Sequence, residues 1–294
     1  MTRITSSILA RHTLSDIQAG QARLAKLQDK LSSGKELSRP SDDPAAVGRA
    51  LQLRSNLAAT QQYQRNAGEA EGWTDVTDSA LAAIGQSLRR VRDLTVQAAN
   101  DASGPEGRVA VAEELKGLID TIKTNANASY GGRYVFSGTA SDVKPFELGA
   151  SDAYAGNGAD VLREIGPGVN VKINTTGADI LAGPGKILDT LLTVLNHVQN
   201  GTGGQLSNDL DALDVQLDSL NAMRATVGAT MNRVTIASDR LLETEGTTLK
   251  LLNNTESIDL AEVMIQYSTE KAAMDASLKA GANIVQTSLL DFLR

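Results

Sequence analysis

The chain has 294 residues, a net charge of -7 and no cysteine, and only 3% of its residues are aromatic. The absence of cysteine excludes disulfides and thiolate metal sites, and the acidic balance without a basic stripe argues against nucleic acid as the main partner. No run of about 18 apolar residues is present, so we expect no membrane insertion. The apolar residues are mostly Ala, Leu, Val and Ile, which favours thin helical layers over a thick core.

Residues 4–31 have the spacing of an amphipathic helix. Apolar residues recur at intervals of three, four or their sums, with charged residues between them. This apolar set comprises Ile8, Leu14, Ile17, Leu24, Leu27 and Leu31. The same stretch lacks the apolar block of a secretory signal, so we expect any export to proceed without a cleaved signal peptide.

Residues 31–48, LSSGKELSRPSDDPAAVG, predict a break between two helices. Gly34 suits a helix stop, and Pro40 and Pro44 prevent a continuous helix through them. Asp43 can cap a new helix whose first residue is Pro44. Capping also accounts for the acidic pair at 42 and 43 without a substrate.

Two further helices are predicted before residue 127. The first runs from Pro44 to about residue 100, and after a turn at residues 101–107 the second follows. The positions predicted to face a partner lie at helical spacing and are Thr77, Leu81, Ile84, Leu88, Val91, Thr95 and Ala98 in the first, and Ala112, Leu115, Ile119, Ile122 and Ala126 in the second. These helices form an antiparallel pair available for packing.

The composition and residue pattern of the chain change at residue 129. The string SYGGRYVFSGT, residues 129–139, joins paired glycines to an aromatic and β-branched run. The chain then stays rich in Gly, Asn, Asp and Pro, with a short alternation at Val169, Val171 and Ile173. We predict a small β-rich insertion that ends in a short helix near residues 187–198.

Residues 210–252 carry a sustained heptad pattern. Steps of three and four residues select thirteen positions, nine of them apolar. The positions are Leu210, Leu213, Leu217, Leu220, Arg224, Val227, Met231, Val234, Ser238, Leu241, Glu245, Thr248 and Leu252. A helix of this length spans about 65 Å and needs long helical partners. Arg224 and Ser238 interrupt the pattern and are candidates for fixing its register.

Residues 258–294 predict a final amphipathic helix. Its apolar stripe is Ala261, Ile265, Ala272, Leu278, Ala282, Val285, Leu289 and Phe292. The predicted fold is therefore mainly α: a long antiparallel coiled-coil rod built from N- and C-terminal segments, with a small β-rich inserted domain. We predict terminal helices in residues 1–43 with 255–294, a helical rod in 44–133 with 205–254, and the insertion in 134–204.

Several of these strings resemble the bacterial flagellin and hook-associated protein family. The run at residues 31–48 is similar to the family's N-terminal signature, and MRATVGATMNRV, residues 223–234, is similar to its C-terminal motif. The motif residues are Ser41, Asp42, Asp43, Pro44, Arg224, Gly228, Asn232 and Arg233. YVFSG, YAGN at 154–157 and the string at 163–181 resemble the hook-associated members more than filament flagellins.

The resemblance implies a structural subunit of the extracellular flagellum, exported by the flagellar type III pathway. Terminal helices would pack between copies into a ring at the hook-filament junction. Implied partners are other copies, the adjacent hook-associated protein, flagellin and an export chaperone. The implied interface comprises Ile4, Ile8, Leu14, Ile17, Leu24, Leu31, Ile258, Ile265, Leu278, Val285, Leu289 and Phe292.

Residues 86–100 resemble the flagellin segment that innate receptors recognise, with Arg90 at the matching arginine. The alternative is a solvated basic face on a structural helix, without a receptor. For the whole chain the alternatives are a filament flagellin and, from another class, a type III needle or translocator-like coiled-coil protein.

Catalytic chemistry finds little support in the sequence. His12 and His197 are the two histidines, and neither has a cluster of candidate ligands nearby in the sequence. The glycines at 156 and 158 neither follow a strong strand nor open a helix, as a phosphate-binding loop requires. We therefore expect no enzyme activity, no cofactor and no metal.

Overall fold

The computed structural model describes residues 6–36, 39, 41, 43–100, 104–149 and 153–292, with the side chains of 6, 7, 9, 10 and 283–292 left out. These residues are mostly helical, which confirms the mainly α prediction. The helices are α1 (Ser6–Ser33), α2 (Pro44–Ala99), α3 (Gly104–Ala126), α4 (Gly177–Ile180), α5 (Ile187–Asn200), α6 (Gly203–Glu256) and α7 (Leu260–Phe292). The strands are β1 (Ser129–Tyr130), β2 (Arg133–Tyr134), β3 (Leu162–Gly166) and β4 (Val169–Lys172).

The chain divides into two compact units. The terminal unit contains the chain up to Ala58 together with the chain from Glu245 onward, and the central unit contains Ala59–Thr244. Helices α2 and α6 contribute residues to both units. The finer division into terminal helices, rod and insertion stays a prediction.

In the central unit α2 and α6 run antiparallel. Arg92 of α2 pairs with Asp214 of α6, while Asp78, earlier in α2, pairs with Arg224, later in α6. Between these pairs Leu220 lies against Gly85, where an added Cβ would stand 3.0 Å from the leucine side chain. The helices therefore approach closely at a point where α2 has no side chain.

Burial along α6 follows the predicted heptad pattern. All thirteen positions are buried or half-buried, and the two members of each heptad differ. The fully buried set is Leu213, Leu220, Val227, Val234, Leu241 and Thr248. The half-buried set is Leu210, Leu217, Arg224, Met231, Ser238, Glu245 and Leu252. One position per heptad therefore points at the partner and the other lies at the edge of the contact.

Helices α3 and α5 complete the helical part of the central unit. Every apolar position predicted for α3 is buried, as are the seven positions predicted for the second half of α2. Arg108 of α3 donates to the Gly201 carbonyl at the end of α5, at 3.0 Å. His197 of α5 lies 2.9 Å from an Asp209 carboxylate oxygen of α6. These contacts join three of the helices around one apolar cluster.

Within the described ranges, the strands form two small antiparallel sheets, β1-β2 and β3-β4. The paired glycines 131 and 132 both have positive φ, 56° and 79°, which is the conformation of a tight hairpin turn. This turn folds Tyr130 onto Gly72 of α2, where a Cβ would stand 2.6 Å from the ring. The predicted alternation at Val169 falls in β4, and the predicted short helix is α5.

Candidate assembly surface

The terminal helices α1 and α7 pack antiparallel, with a buried glycine of each helix at a close approach. A Cβ on Gly20 would lie 3.4 Å from Met274 Sδ, and a Cβ on Gly281 would lie 3.2 Å from Thr13 Cγ2. Arg23 Nη2 and Glu270 Oε1 form an ion pair at 2.7 Å. Positions rise along α1 as they fall along α7, which defines the antiparallel direction.

This pairing covers one stripe of each helix. In α1 the less exposed positions include Thr13, Ile17, Gly20, Leu24, Leu27 and Leu31, which are separated alternately by four and three residues. In α7 they include Val263, Tyr267, Glu270 and Met274, with the same alternating spacing, and Gly281, one heptad after Met274. Two helices that share a single narrow stripe leave their other faces to solvent.

Large apolar side chains remain on those uncovered faces. Ile265 is 66% exposed and Leu278 is 46% exposed, both on α7. We call the whole set the terminal apolar surface, and it comprises Ile8, Leu14, Leu260, Met264, Ile265 and Leu278. Large apolar side chains that the helix pair leaves exposed on both helices are candidates for burial by another chain.

The structure separates the predicted interface residues into two groups. Ile8, Leu14, Ile265 and Leu278 are exposed, whereas Ile17, Leu24, Leu31 and Ile258 are half-buried within the chain. Ile4 and the side chains of Val285, Leu289 and Phe292 lie outside the described residues. The role of this set in subunit contacts stays a prediction.

Sequence reasoning missed the face of α7 that packs on α1. That face contains Val263, Tyr267, Met274 and Gly281. The predicted stripe followed a different face, because Ile265 and Leu278 are the more obvious apolar residues. The sequence did contain a signal for this face, because Val263, Tyr267, Met274 and Gly281 fall at heptad spacing.

A clasp around Glu256 joins the end of α6 to the segment after α1. The Glu256 carboxylate is largely buried and accepts a hydrogen bond from Arg54 Nη2 at 2.7 Å, with Lys35 Nζ 3.9 Å away. Its carbonyl oxygen accepts from Glu36 N–H at 2.7 Å, and Ile258 N–H donates to the Gly34 carbonyl at 3.3 Å. The clasp therefore fixes where α1 ends relative to where α7 begins.

Two family models match this chain. The model described as the bacterial flagellin N-terminal helical region matches residues 4–141, and the model described as the C-terminal helical region matches residues 210–293. Together they cover more than half of the sequence. The chain belongs to the bacterial flagellin family. It is a structural component of the bacterial flagellum and serves motility.

Individual members of the family are similar to the chain over most of its length. Flagellar hook-associated protein 3 of Salmonella typhimurium is 26% identical, covering 99% of this chain and 100% of its own. Flagellin of Bacillus subtilis is 23% identical over 99% of this chain and 100% of its own. The crystal structure of Bacillus cereus FlgL has a TM-score of 0.60 and 25% identity, covering 69% of this chain and 99% of its own.

The N-terminal flagellin signature contains the start of α2. Asp43 Oδ1 accepts hydrogen bonds from the N–H groups of Ala45 and Ala46 at 3.0 and 2.9 Å, which confirms the predicted cap. Pro44 is the first helical residue, as predicted. Ser41 is exposed, and Asp42 lies outside the described residues.

The remaining family-motif residues lie on the central unit. Asn232 and Arg233 are exposed on α6. Arg90 is exposed on α2, where its Nε and Nη2 both donate to Glu114 Oε1, at 2.8 and 2.6 Å. The receptor role of Arg90 stays a prediction, and the ion pair shows that a receptor would compete with Glu114 for this guanidinium.

Ion pairs between α2 and α6 alter the acidity of their members. The hydrogen bond from Arg92 lowers the pKa of the Asp214 carboxyl, and the hydrogen bond to Asp78 raises the pKa of the Arg224 guanidinium.

Burial raises the pKa of the Tyr154 hydroxyl, which donates to the Phe136 carbonyl at 2.7 Å.

Neither a metal cluster nor a membrane span is found in the described part of the chain. No group of three or more His, Asp or Glu side chains there is placed to hold a metal ion. No described helix is both long and apolar enough to cross a membrane. His12 is exposed, and His197 contacts Asp209.

Proposed function

We propose that this chain forms the ring at the hook-filament junction, by packing its terminal helices against those of neighbouring copies. The observation that carries the proposal is the terminal apolar surface, which the α1-α7 pair leaves exposed. The names hook-associated protein 3 and FlgL, given to relatives that match this chain, support the junction rather than another place in the flagellum.

Burial of this surface contributes to the driving force for association. Covering one large aliphatic side chain contributes about 1.5–3 kcal/mol, so covering several on each copy offsets much of the cost of association. A ring requires contacts between unlike surfaces of successive copies, and two helices with different exposed faces provide such surfaces.

We also propose the partners and location that follow from this role. The ring contacts the adjacent hook-associated protein on one side and flagellin on the other, outside the cell. Export uses the flagellar type III route, and an export chaperone covers the exposed apolar face of α7 beforehand.

A filament flagellin is the second candidate, because Bacillus subtilis flagellin matches the chain over a similar share of its length. The two functions differ in whether the addition of this protein stops by itself. A junction subunit adds a limited layer, whereas a flagellin adds to its own end without limit.

The discriminating experiment uses hooks isolated from the source bacterium after deletion of this gene. Purified protein is added, excess is removed, and flagellin follows, with electron microscopy after each step. We expect a short layer of fixed height after the first step and filament growth only after it. Long filaments from the protein alone would instead establish a filament flagellin, and no addition at all would contradict both functions.

A further inference from the structure

The central unit contains a cavity of about 520 Å³ beside α6, lined by both polar and apolar residues. Its walls come from α2, from α6 and from residues 172–179, which follow β4 and open α4. We call it the threonine cavity, because Thr74, Thr175, Thr226 and Thr230 line it, with Arg233 among the other lining residues.

Two groups in this cavity lack a strong partner within the described residues. Thr175 is only 6% exposed, and its hydroxyl contacts only the sulfur of Met223, at 3.7 Å. A thioether is a weak acceptor, so this buried hydroxyl keeps most of its hydrogen-bonding capacity. The Arg233 guanidinium makes no hydrogen bond or ion pair with any part of the chain that the structure describes.

The other charges of the cavity are already engaged. Lys172 Nζ lies 2.7 Å from Asp160 Oδ1. The Asp179 carboxylate accepts from the Thr176 N–H at 3.0 Å and from its hydroxyl at 2.7 Å. The guanidinium of Arg233 is therefore the charge in this cavity that remains available, and it favours a carboxylate.

The threonine hydroxyls of α6 place a second requirement on the ligand of this cavity. Thr226 donates to the Ala222 carbonyl and Thr230 donates to the Thr226 carbonyl, each at 3.1 Å. With their protons committed, these oxygens offer only lone pairs, so the ligand must bring N–H or O–H donors. A carboxylate combined with free N–H groups describes an acidic, non-helical peptide segment, since a helix interior has no free N–H.

This chain has such a segment at residues 142–149. Asp142 has no hydrogen bond or ion pair among the described residues, and the Glu147 side chain is 79% exposed, with Lys144 Nζ 3.6 Å away. The contact between Lys144 and Glu147 is long and both side chains are exposed. The other acidic residues that the structure describes outside helices make closer contacts in caps, turns or ion pairs, and examples are Asp43, Asp160, Glu164 and Asp259. Exposed Val143 and Leu148 stand beside the two acidic residues of the segment.

The segment is held on a different part of the central unit from the cavity. Gly149 N–H donates to Asp120 Oδ1 at 2.8 Å, and the buried Lys123 ammonium donates to the Gly149 carbonyl. Asn127 exchanges two hydrogen bonds with the backbone of Phe146. These anchors all belong to α3 or the residue after it, whereas the cavity is lined by α2 and α6.

We propose that the threonine cavity of one copy receives the acidic segment 142–149 of the next copy, with Glu147 paired to Arg233. The contact joins two unlike surfaces, which is the kind of interface that closes into a ring. Charge complementarity selects the pairing, and the threonine oxygens accept from the segment's backbone. This inference rests on the proposed ring and assigns it a second contact, in addition to the terminal helices.

A charge exchange tests the pairing on isolated hooks. Arg233→Glu and Glu147→Lys should each reduce ring addition about tenfold, the change that corresponds to 1.4 kcal/mol. The double variant should restore addition, because the charges are exchanged. Arg240→Glu is the matched control, since Arg240 is also exposed on α6, one heptad further on, and is not in the cavity.

The outcomes separate this inference from the proposed function. If the wild-type protein adds no layer, the proposed function fails. If the wild type adds its layer and Arg233→Glu does so equally well, the inference is overturned while the function stands. Failure of the double variant to restore addition also overturns the pairing. Arg233→Gln, which removes the charge without reversing it, replaces Arg233→Glu if circular dichroism shows that the latter is misfolded.

Discussion

Arg224 and Asp78 form a two-pronged ion pair between α6 and α2. Arg224 Nε lies 2.9 Å from Asp78 Oδ1, and Nη2 lies 3.0 Å from Oδ2. Arg224 occupies a heptad position where most heptads of α6 carry an apolar residue, so the pair replaces apolar packing with a directional contact. Only one alignment of the two helices satisfies both hydrogen bonds, which supports the predicted role in fixing register.

We predict a small but measurable coupling between these two side chains. Because about a third of each side chain is exposed, solvent screens the pair, and its contribution is about 0.2–1 kcal/mol. A double-mutant cycle with Asp78→Ala and Arg224→Ala in urea unfolding measures it. A coupling free energy of zero at low salt would contradict a role in register.

Leu220 should contribute far more to stability than its exposed neighbours. It is fully buried against Gly85, so Leu220→Ala leaves a cavity and should cost about 2–5 kcal/mol of unfolding free energy. Val215→Ala is the control, because Val215 is exposed on the same helix and should change stability by less than about 0.5 kcal/mol. Equal losses in the two variants would show that this contact is not the buried centre of the pair.

The Arg92-Asp214 pair predicts loss of stability in acid. The folded pKa of Asp214 is lower than its ordinary value of 3.8, so its contribution is complete above that value and disappears as the pH falls through the folded pKa. Thermal melting of the wild type and Asp214→Asn between about pH 6 and pH 2 measures the effect. The wild type should be more stable near pH 6, and the two melting temperatures should converge in acid. A constant difference across this range would disprove the assignment.

The two faces of α7 should respond differently to substitution. Ile265→Asp changes the exposed face, so we expect an unchanged melting temperature and a loss of addition to hooks. Gly281→Leu places a side chain against Thr13 and Ile17, so it should disrupt the α1-α7 pair and lower the helical signal in circular dichroism. Normal addition by Ile265→Asp would remove the terminal apolar surface from the proposed interface.

The family resemblance around Arg90 predicts recognition by an innate flagellin receptor. Arg90→Ala should reduce the response of a receptor reporter to the purified protein. Arg89→Ala is the matched control, because Arg89 is the adjacent exposed arginine on α2. Equal responses to both variants and to the wild type would show that Arg90 has only a structural role with Glu114.

The heptad pattern of residues 210–252 was readable without a structure, and so were the limits of α2 and its cap at Asp43. Each depends on residues within a few turns of one another. A repeat of three and four residues specifies which side of a helix is buried, and an aspartate before a proline specifies a helix start. These local rules predicted the mainly α class and the limits of α2. They placed the start of α3 too late, because residues 104–107 of the predicted turn are helical, and α6 begins at Gly203, before the heptad pattern does.

The tertiary structure was needed to decide which face of α7 packs on α1, and which polar groups lack a strong partner among the residues that the structure describes. Gly281 contacts Thr13 and Ile17 across most of the chain, and the preference for a small residue there depends on how closely the two helices approach. The threonine cavity likewise combines Thr74, Thr175 and Arg233, which no local pattern connects. Whether a hydroxyl or a guanidinium is satisfied depends on distances between atoms far apart in sequence, and these exist only after the chain has folded.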